Sequence, residues 1–355
     1  MTYNEALNFI TDKKSLGIKP GLTRIKALLC KLGDPQNCLK IIHIAGTNGK
    51  GTVAATVAEA LTVSGFKTGL FTSPWVDDYR EQLQIDGEYI SESDFSQVIN
   101  YIKEYESDCT EFELLTAAAY YYFALQQVDY AVIECGMGGT DDATNVEDKN
   151  LSVITSVSLD HTNYLGSTVE EIALAKSGIL RKDCTCVLYN SELEYLFRDK
   201  CKKLTLCPVK SNLALVNLVL KELGVESVKR LKKLPARQEI IGEVMLDGGH
   251  NPSAARKLLP HLENEVAVIG MLADKDAETY LSIIAPKCNK IFATTIKSER
   301  ALDASVIADI AEDYCDNVYI IEKPADAVKV NNLSLVCGSF YLIREVRKYL
   351  LGFGL

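Results

Sequence analysis

The chain has 355 residues, 47% of them apolar and 24% charged, the balance of a globular protein long enough for two hydrophobic cores. Its formal charge of −10 argues against general affinity for nucleic acid or anionic membrane, and leaves small molecules as the expected partners. No apolar run approaches the roughly 20 residues of a membrane span, MTYNEALNFI lacks the flank and core of a signal peptide, and eleven cysteines without metal-site spacing fit reduced thiols. A cytoplasmic protein is expected, with Cys184 and Cys186 read as core residues rather than a metal or redox pair.

In chain order, short β-branched runs alternate with amphipathic stretches, the pattern of parallel α/β units. The run Ile41 to Ala45 leads through GTNGKGT into a helix predicted over Val53 to Ser64. LFTSP at 70–74 ends a strand-like run in hydroxyls and a proline turn. A helix at Leu114 to Gln126 precedes strands at Asp129 to Glu134 and Ser152 to Ser156. A helix at Val169 to Ile179, a strand at Thr185 to Tyr189 and a helix at Leu213 to Leu223 follow. The basic stretch ESVKRLKKLP reads as a linker, dividing residues 1–232 from 233–355. Beyond it lie strands at Glu243 to Leu246, Val266 to Gly270 and Lys290 to Thr294, with a helix at Ala254 to Leu262.

The sequence IIHIAGTNGKGT places Gly46, Gly49 and Gly51 around Lys50, between a strand and a helix. Such a turn aims unpaired amides and the positive end of a helix dipole at one point, and Lys50 adds a mobile charge for phosphate oxygens. Thr52 follows the lysine by two positions, with Gly51 between, so the loop departs from the usual G-x-x-x-x-G-K-[ST] spacing. In open parallel sheets ligands sit beyond the carboxyl ends of strands. Ser73, Glu134 and His161, each at such an end, offer a hydroxyl, a carboxylate and an imidazole for a partial magnesium shell. Taken singly, Glu134 reads better as a helix cap and His161 as a satisfied loop histidine.

HIAGTNGKGT, LFTSP, TEFE at 110–113, GMGGTDDATN, LDHTNYLG, AKSGIL at 175–180 and LDGGHNP at 246–252 occur in this order along nearly the whole chain. This set resembles the folylpolyglutamate synthase and dihydrofolate synthase family of the Mur ligase superfamily. The resemblance implies an α/β protein: a P-loop, Mur-ligase-like N-terminal domain (1–232) with a mainly parallel sheet, and a smaller Rossmann-like C-terminal domain (233–355). It also implies an ATP-dependent amide ligase adding L-glutamate to dihydropteroate, a folyl(poly)glutamate or both through an acyl phosphate; a monomer is expected, one chain holding the full set of site residues. A Mur-type ligase for another carboxylate and a non-catalytic nucleotide-binding regulator are the alternatives.

By the same resemblance, Asn48, Gly49, Lys50, Gly51 and Thr52 form the phosphate loop, and Asn212, Arg237 and Asp247 contact ATP. Ser73, Glu134 and His161 hold magnesium. Lys176 aligns with a lysine that the family carbamylates, which would make it an anionic ligand of a second metal. His250 and Asn251 complete the D-G-x-H-N signature, with His250 expected among the catalytic residues beside Lys50 and Lys176. Gly21 to Arg24, Thr110, Phe112, Glu113 and Asp142 fall on the pterin side, although Phe112 alone reads equally as core and Asn212 as a plain N-cap. Departures from the family pattern include Trp75 for histidine, Gln82 and Thr140 for arginine, Thr23 for an acid and Ala236 for glycine. Arg80 is a candidate to cover for Gln82. The short span from Lys182 to Asn212 suggests that a peripheral sheet has been trimmed.

Overall fold

The computed structural model describes residues 1–146 and 150–352. Its internal contacts separate two compact units, residues 1–158 with 162–232, and residues 159–161 with 233–355.

The first unit is built on an eight-stranded sheet whose order is β4-β3-β2-β5-β1-β6-β7-β8. The strands are β1 (Ile41–Ala45), β2 (Thr68–Phe71), β3 (Leu83–Ile85), β4 (Glu88–Tyr89), β5 (Tyr130–Glu134), β6 (Leu151–Ile154), β7 (Thr185–Leu188) and β8 (Lys203–Leu206). Pairing is parallel from β2 to β8, and the β3–β4 hairpin adds an antiparallel edge. Every residue of β1 is buried, as expected of a central parallel strand covered on both faces. The chain runs from β1 to β2 on one side, returns to β5, and then continues to β6 on the other. The carboxyl ends of β1, β5 and β6 therefore border the point where strand order reverses, the place where open α/β sheets bind ligands.

Helices α1 (Tyr3–Thr11), α2 (Thr23–Lys31), α3 (Lys50–Val63), α4 (Glu92–Lys103), α5 (Glu111–Leu125), α6 (Thr162–Leu165), α7 (Val169–Ser177) and α8 (Asn212–Leu223) complete this unit. Its largest core joins α1, α2, α4 and α5 to the sheet through Ile10, Leu29, Phe95, Tyr120 and Phe123. A β-carbon on Gly69 would lie 2.8 Å from the Phe123 ring, so the bare backbone of β2 is what admits that ring. Losing so large a buried side chain costs about 3–5 kcal/mol.

The second unit has a six-stranded sheet, ordered β13-β12-β11-β14-β10-β9. Its strands are β9 (Glu239–Ile241), β10 (Val244–Asp247), β11 (Glu265–Ile269), β12 (Cys288–Ala293), β13 (Val318–Ile320) and β14 (Leu335–Cys337). Strands β10 to β14 run parallel and β9 pairs antiparallel with β10. Helices α9 (Pro252–Leu258), α10 (Ala277–Ile284), α11 (Ala304–Glu312) and α12 (Phe340–Leu350) belong to it. Tyr280, Leu281, Ile284 and Ile307 pack on β11 and β12 to form its core. The expected α/β class with mainly parallel sheets holds in both units.

Boundaries differ from expectation in places with clear causes. The helix predicted from Val53 begins at Lys50, because Gly49 adopts φ +91° and turns the chain early enough for Lys50, Gly51 and Thr52 to form its first turn. The helix predicted through Leu262 ends at Leu258 and gives way to a 3-10 turn over Leu259–His261, where Pro260 removes an amide. Between Lys182 and Asn212 lie only β7, two 3-10 turns and β8. The basic stretch is irregular but tied down: Val228 exchanges hydrogen bonds with Asn217, and the Lys232 amide donates to Thr56 Oγ1 at 3.0 Å.

Candidate active site

The phosphate-type loop joins β1 to α3. Gly46, at φ +148°, crosses so close to Thr155 that a β-carbon would overlap the Thr155 hydroxyl. Gly49 caps α3 without a side chain, and the first amides of a helix have no partners within it. Lys50 folds back over the loop, its Nζ donating to the carbonyls of Gly46 at 3.1 Å and Thr47 at 3.3 Å. The loop is held from β6's side by Ser156 Oγ, which donates to Asn48 O, and by Thr47 Oγ1, which donates to Ser158 O. Asn212 is not an N-cap: Ser211 caps α8, and Asn212 packs against Gly49 with its Oδ1 buried and without a hydrogen-bond partner. A buried amide oxygen left open beside a phosphate-type loop suits a nucleotide donor group.

Glu134 ends β5, buried, and accepts from the Ser73 amide at 3.1 Å. A β-carbon on Gly51 would stand 3.3 Å from Glu134 Oε2, so the third glycine of the loop makes room for this carboxylate. A carboxylate oxygen beside helix amides is a hard donor of the kind that magnesium takes. Lys176 is buried at 3% exposure in the last turn of α7, unlike a surface helix lysine. Lys50 and Lys176 both act electrostatically on the Cys135 thiol, whose pKa burial and Asp142 push up.

On the expected pterin side, local structure claims several residues. Thr110 and Glu113 form the capping box of α5, and Arg24 Nε donates to Glu113 Oε2 at 3.1 Å. Glu113 Oε1 stays buried without a partner. Phe112 packs on the main core, 5.8 Å from the Phe71 ring, and fills the space over Gly136. Asp142 accepts from the amides of Met137 and Thr144 and from the Thr144 hydroxyl, so it organises its own loop. Gln82 is buried and donates to Tyr79 O. Arg80 does not cover for it, being engaged by Asp78 at 2.6 Å and lying over the Tyr3 ring. Thr140, exposed, ties its loop to α7 through Ala175 O.

In the second unit, Asp247 ends β10 and accepts from the amides of Gln238 and Gly249. Burial pushes its carboxyl pKa up, against the pull of Arg237. The Arg237 guanidinium lies 4.4 Å from the Phe340 ring centre, and that ring occupies the space a β-carbon on Gly248 would need. Ala236, at φ +57°, holds the left-handed conformation that the family's glycine would adopt without strain.

Asp160 and His161 also pack in this unit. Asp160 accepts from Lys275 Nζ and from Asn251 Nδ2, each at 2.9 Å, while His161 and His250 flank it at 3.9 Å and 3.8 Å. Burial works to raise the Asp160 pKa, yet His250, His161 and Lys275 carry it well below the usual carboxylate range. Burial and Lys275 lower the His250 pKa to about 4, so His250 is neutral at pH 7 and Lys275 is the lasting positive charge. One ligand atom each from Asp160, His161 and His250 cluster within 4.8 Å. With the Lys275 ammonium on Asp160, these groups form an ion-pair hub. Ser73 and Glu134 thus belong to the first unit and His161 to the second. Sequence reasoning missed Lys275 and Phe340, the first having no motif around it.

Residues 44–212 match the Mur ligase middle domain and residues 230–340 the Mur ligase, glutamate ligase domain. The dihydrofolate synthase/folylpolyglutamate synthase of Bacillus subtilis is 30% identical over 428 aligned positions, covering 98% of this chain and 99% of that protein. The chain belongs to the folylpolyglutamate synthase and dihydrofolate synthase family. Members are ligases of the Mur type, and this chain is one of them. Escherichia coli FolC in complex with DHPP and ADP superposes with a TM-score of 0.88 at 25% identity, covering 99% of this chain and 98% of that one. The bifunctional folylpolyglutamate synthase/dihydrofolate synthase of Yersinia pestis, complexed with AMPPNP and Mn ion, gives 0.85 at 26% identity over the same shares.

Proposed function

We propose that the chain joins L-glutamate to the carboxylate of dihydropteroate, a folyl(poly)glutamate, or both, using magnesium ATP. The observation carrying this reading is the packing of Gly51 against Glu134, which sets a carboxylate and the Ser73 segment beside a helix start built for phosphate. In this reading the acceptor carboxylate attacks the γ-phosphorus of ATP, giving an acyl phosphate and ADP. The free amine of glutamate then attacks the acyl carbon, forming the amide, expelling phosphate and losing a proton. Phosphorylation is what converts a poor acylating agent into one with a leaving group.

Lys50, the α3 amides and Thr52 would hold the phosphates, and Asn212, Arg237 and Asp247 the nucleoside. Ser73, Glu134 and His161 would hold magnesium, which neutralises charge between the two approaching anions. Lys176, carbamylated, would supply oxygen ligands to a second ion. Arg24, the unpartnered Glu113 Oε1 and the loop organised by Asp142 would meet the acceptor, with His250 aiding turnover from the C-terminal domain. Residues 1–232 would form the ATP-binding domain and 233–355 the glutamate ligase domain of a cytoplasmic monomer. Phosphate release with ATP, glutamate and each pteridine acceptor in turn, together with product mass, tests this. Release with neither dihydropteroate nor tetrahydrofolate would refute it.

A further inference from the structure

Strand β1 carries a single polar side chain, His43, and it is fully buried. Its Nε2 lies 2.7 Å from the Thr144 hydroxyl and 3.0 Å from the Cys135 thiol. Thr144, also fully buried, donates its hydroxyl to Asp142 Oδ1 at 2.5 Å, and its amide donates to the same oxygen at 3.0 Å. Its carbonyl accepts from the Tyr120 hydroxyl at 2.8 Å. The one hydroxyl proton of Thr144 is committed to a carboxylate, so its oxygen can only accept from the ring. His43 therefore carries its proton on Nε2, and the chain of donors runs in one direction, from His43 through Thr144 to Asp142.

We propose that His43 is a positioning residue that fixes the loop over residues 136–146 against the strand feeding the phosphate loop. Resting on the ligase reading above, this role concerns the acceptor and Lys176 rather than ATP. The same loop grips the end of α7: the Thr140 amide and hydroxyl donate to Ala175 O at 2.9 Å and 3.0 Å, and Asn145 Nδ2 donates to Gly178 O at 3.1 Å. A slip of the loop would therefore disturb both Asp142 and the backbone next to Lys176. An apolar side chain would fill the His43 site without the cost of burying a polar ring, about 1–3 kcal/mol when unbonded. What the imidazole adds is direction.

His43→Leu removes the donor and is expected to raise the acceptor KM about tenfold or more, with the ATP KM held within about threefold. Thr144→Val should do the same, and the double variant should lose no more than either single one. His43→Gln, whose amide nitrogen can donate to Thr144, should recover most of the loss. Independently of turnover, the amides of Met137 and Thr144, which donate to Asp142, should exchange hydrogen faster in His43→Leu. Additive losses, an equal rise in both KM values, or unchanged exchange at those amides would overturn the role. Should His43→Leu fail to fold, Thr144→Val carries the comparison at constant volume. A wild-type chain that releases no phosphate with any acceptor would sink the ligase reading, while the exchange measurement would still decide the role of His43.

Discussion

The side-chain nitrogen of Asn212 stands 2.6 Å from the point where a β-carbon on Gly49 would sit. Two elements far apart in sequence thus meet at the N-terminus of α3, and the glycine is what lets them. An alanine at position 49 would meet that amide and also hold a left-handed φ of +91°, a strain of about 1–2 kcal/mol. Gly49→Ala is expected to raise the ATP KM about tenfold or more while the chain stays folded. Nucleotide titration calorimetry and circular dichroism check this; wild-type ATP affinity would remove Asn212 and Gly49 from the site.

Lys176 is buried in the last turn of α7 and shares the neighbourhood of Cys135 with Lys50. If its charge, or a carbamate built on it, serves the transferring phosphate, Lys176→Ala should abolish ligation. The melting temperature should fall by no more than the few degrees that about 1 kcal/mol produces in a chain of this size. Added bicarbonate should not restore turnover. A variant that retains wild-type phosphate release would refute the role.

His250 makes stability depend on pH. In the unfolded chain it titrates near 6.5 and in the folded chain near 4, because burial and Lys275 oppose its charge. The stability gained from keeping the ring neutral is therefore full above pH 6.5 and is lost as pH falls from 6.5 toward 4. The shift sets a ceiling of about 3 kcal/mol, and with 26% of the side chain exposed, about 1–2 kcal/mol is expected. Urea unfolding at pH 7.5 and 4.5 should show this loss in the wild type and a flatter profile in His250→Ala. Parallel slopes would show that His250 is not shielded. The same variant should lose more turnover than ATP affinity.

Signals local in sequence were legible, and those depending on distant partners were not. The glycines at 46, 49 and 51 point to a phosphate-type loop, and β-branched runs locate β1, β5, β6, β7, β10, β11 and β12. The Asp86-Gly87 pair, with φ of +53° and +85°, makes the β3–β4 turn, a hairpin signal local to the sequence. The resemblance implies ligand contacts for TEFE, whereas its T-x-x-E spacing forms the capping box of α5. Lys275 and Asp160 are 115 positions apart, and no spacing rule connects them. His43 lay inside the opening motif, yet its partner Thr144 is 101 residues away. Thr140 and Gln82 stand where the resemblance implies arginine, and their neutral side chains hold backbone carbonyls.

Phe340 supports Arg237 as a shelf, with the guanidinium 4.4 Å from the ring centre, and Gly248 lets the ring slide under β10. Such a cation–π contact is worth about 0.5–2 kcal/mol, depending on how dry the site is. Phe340→Leu keeps most of the buried volume, so the fold should lose less than about 1.5 kcal/mol. Arg237 would lose its platform and sample other rotamers. The ATP KM should therefore rise about two- to thirtyfold, the range that contact energy converts to, with kcat at saturating ATP falling much less. Arg237→Lys should give a similar rise, because an ammonium on a flexible stem neither stacks nor keeps the planar fork. Combining the two changes should add little, since both remove the same contact. If Phe340→Leu leaves the ATP KM unchanged while Arg237→Lys raises it, Phe340 is packing alone and Arg237 is oriented by its other neighbours.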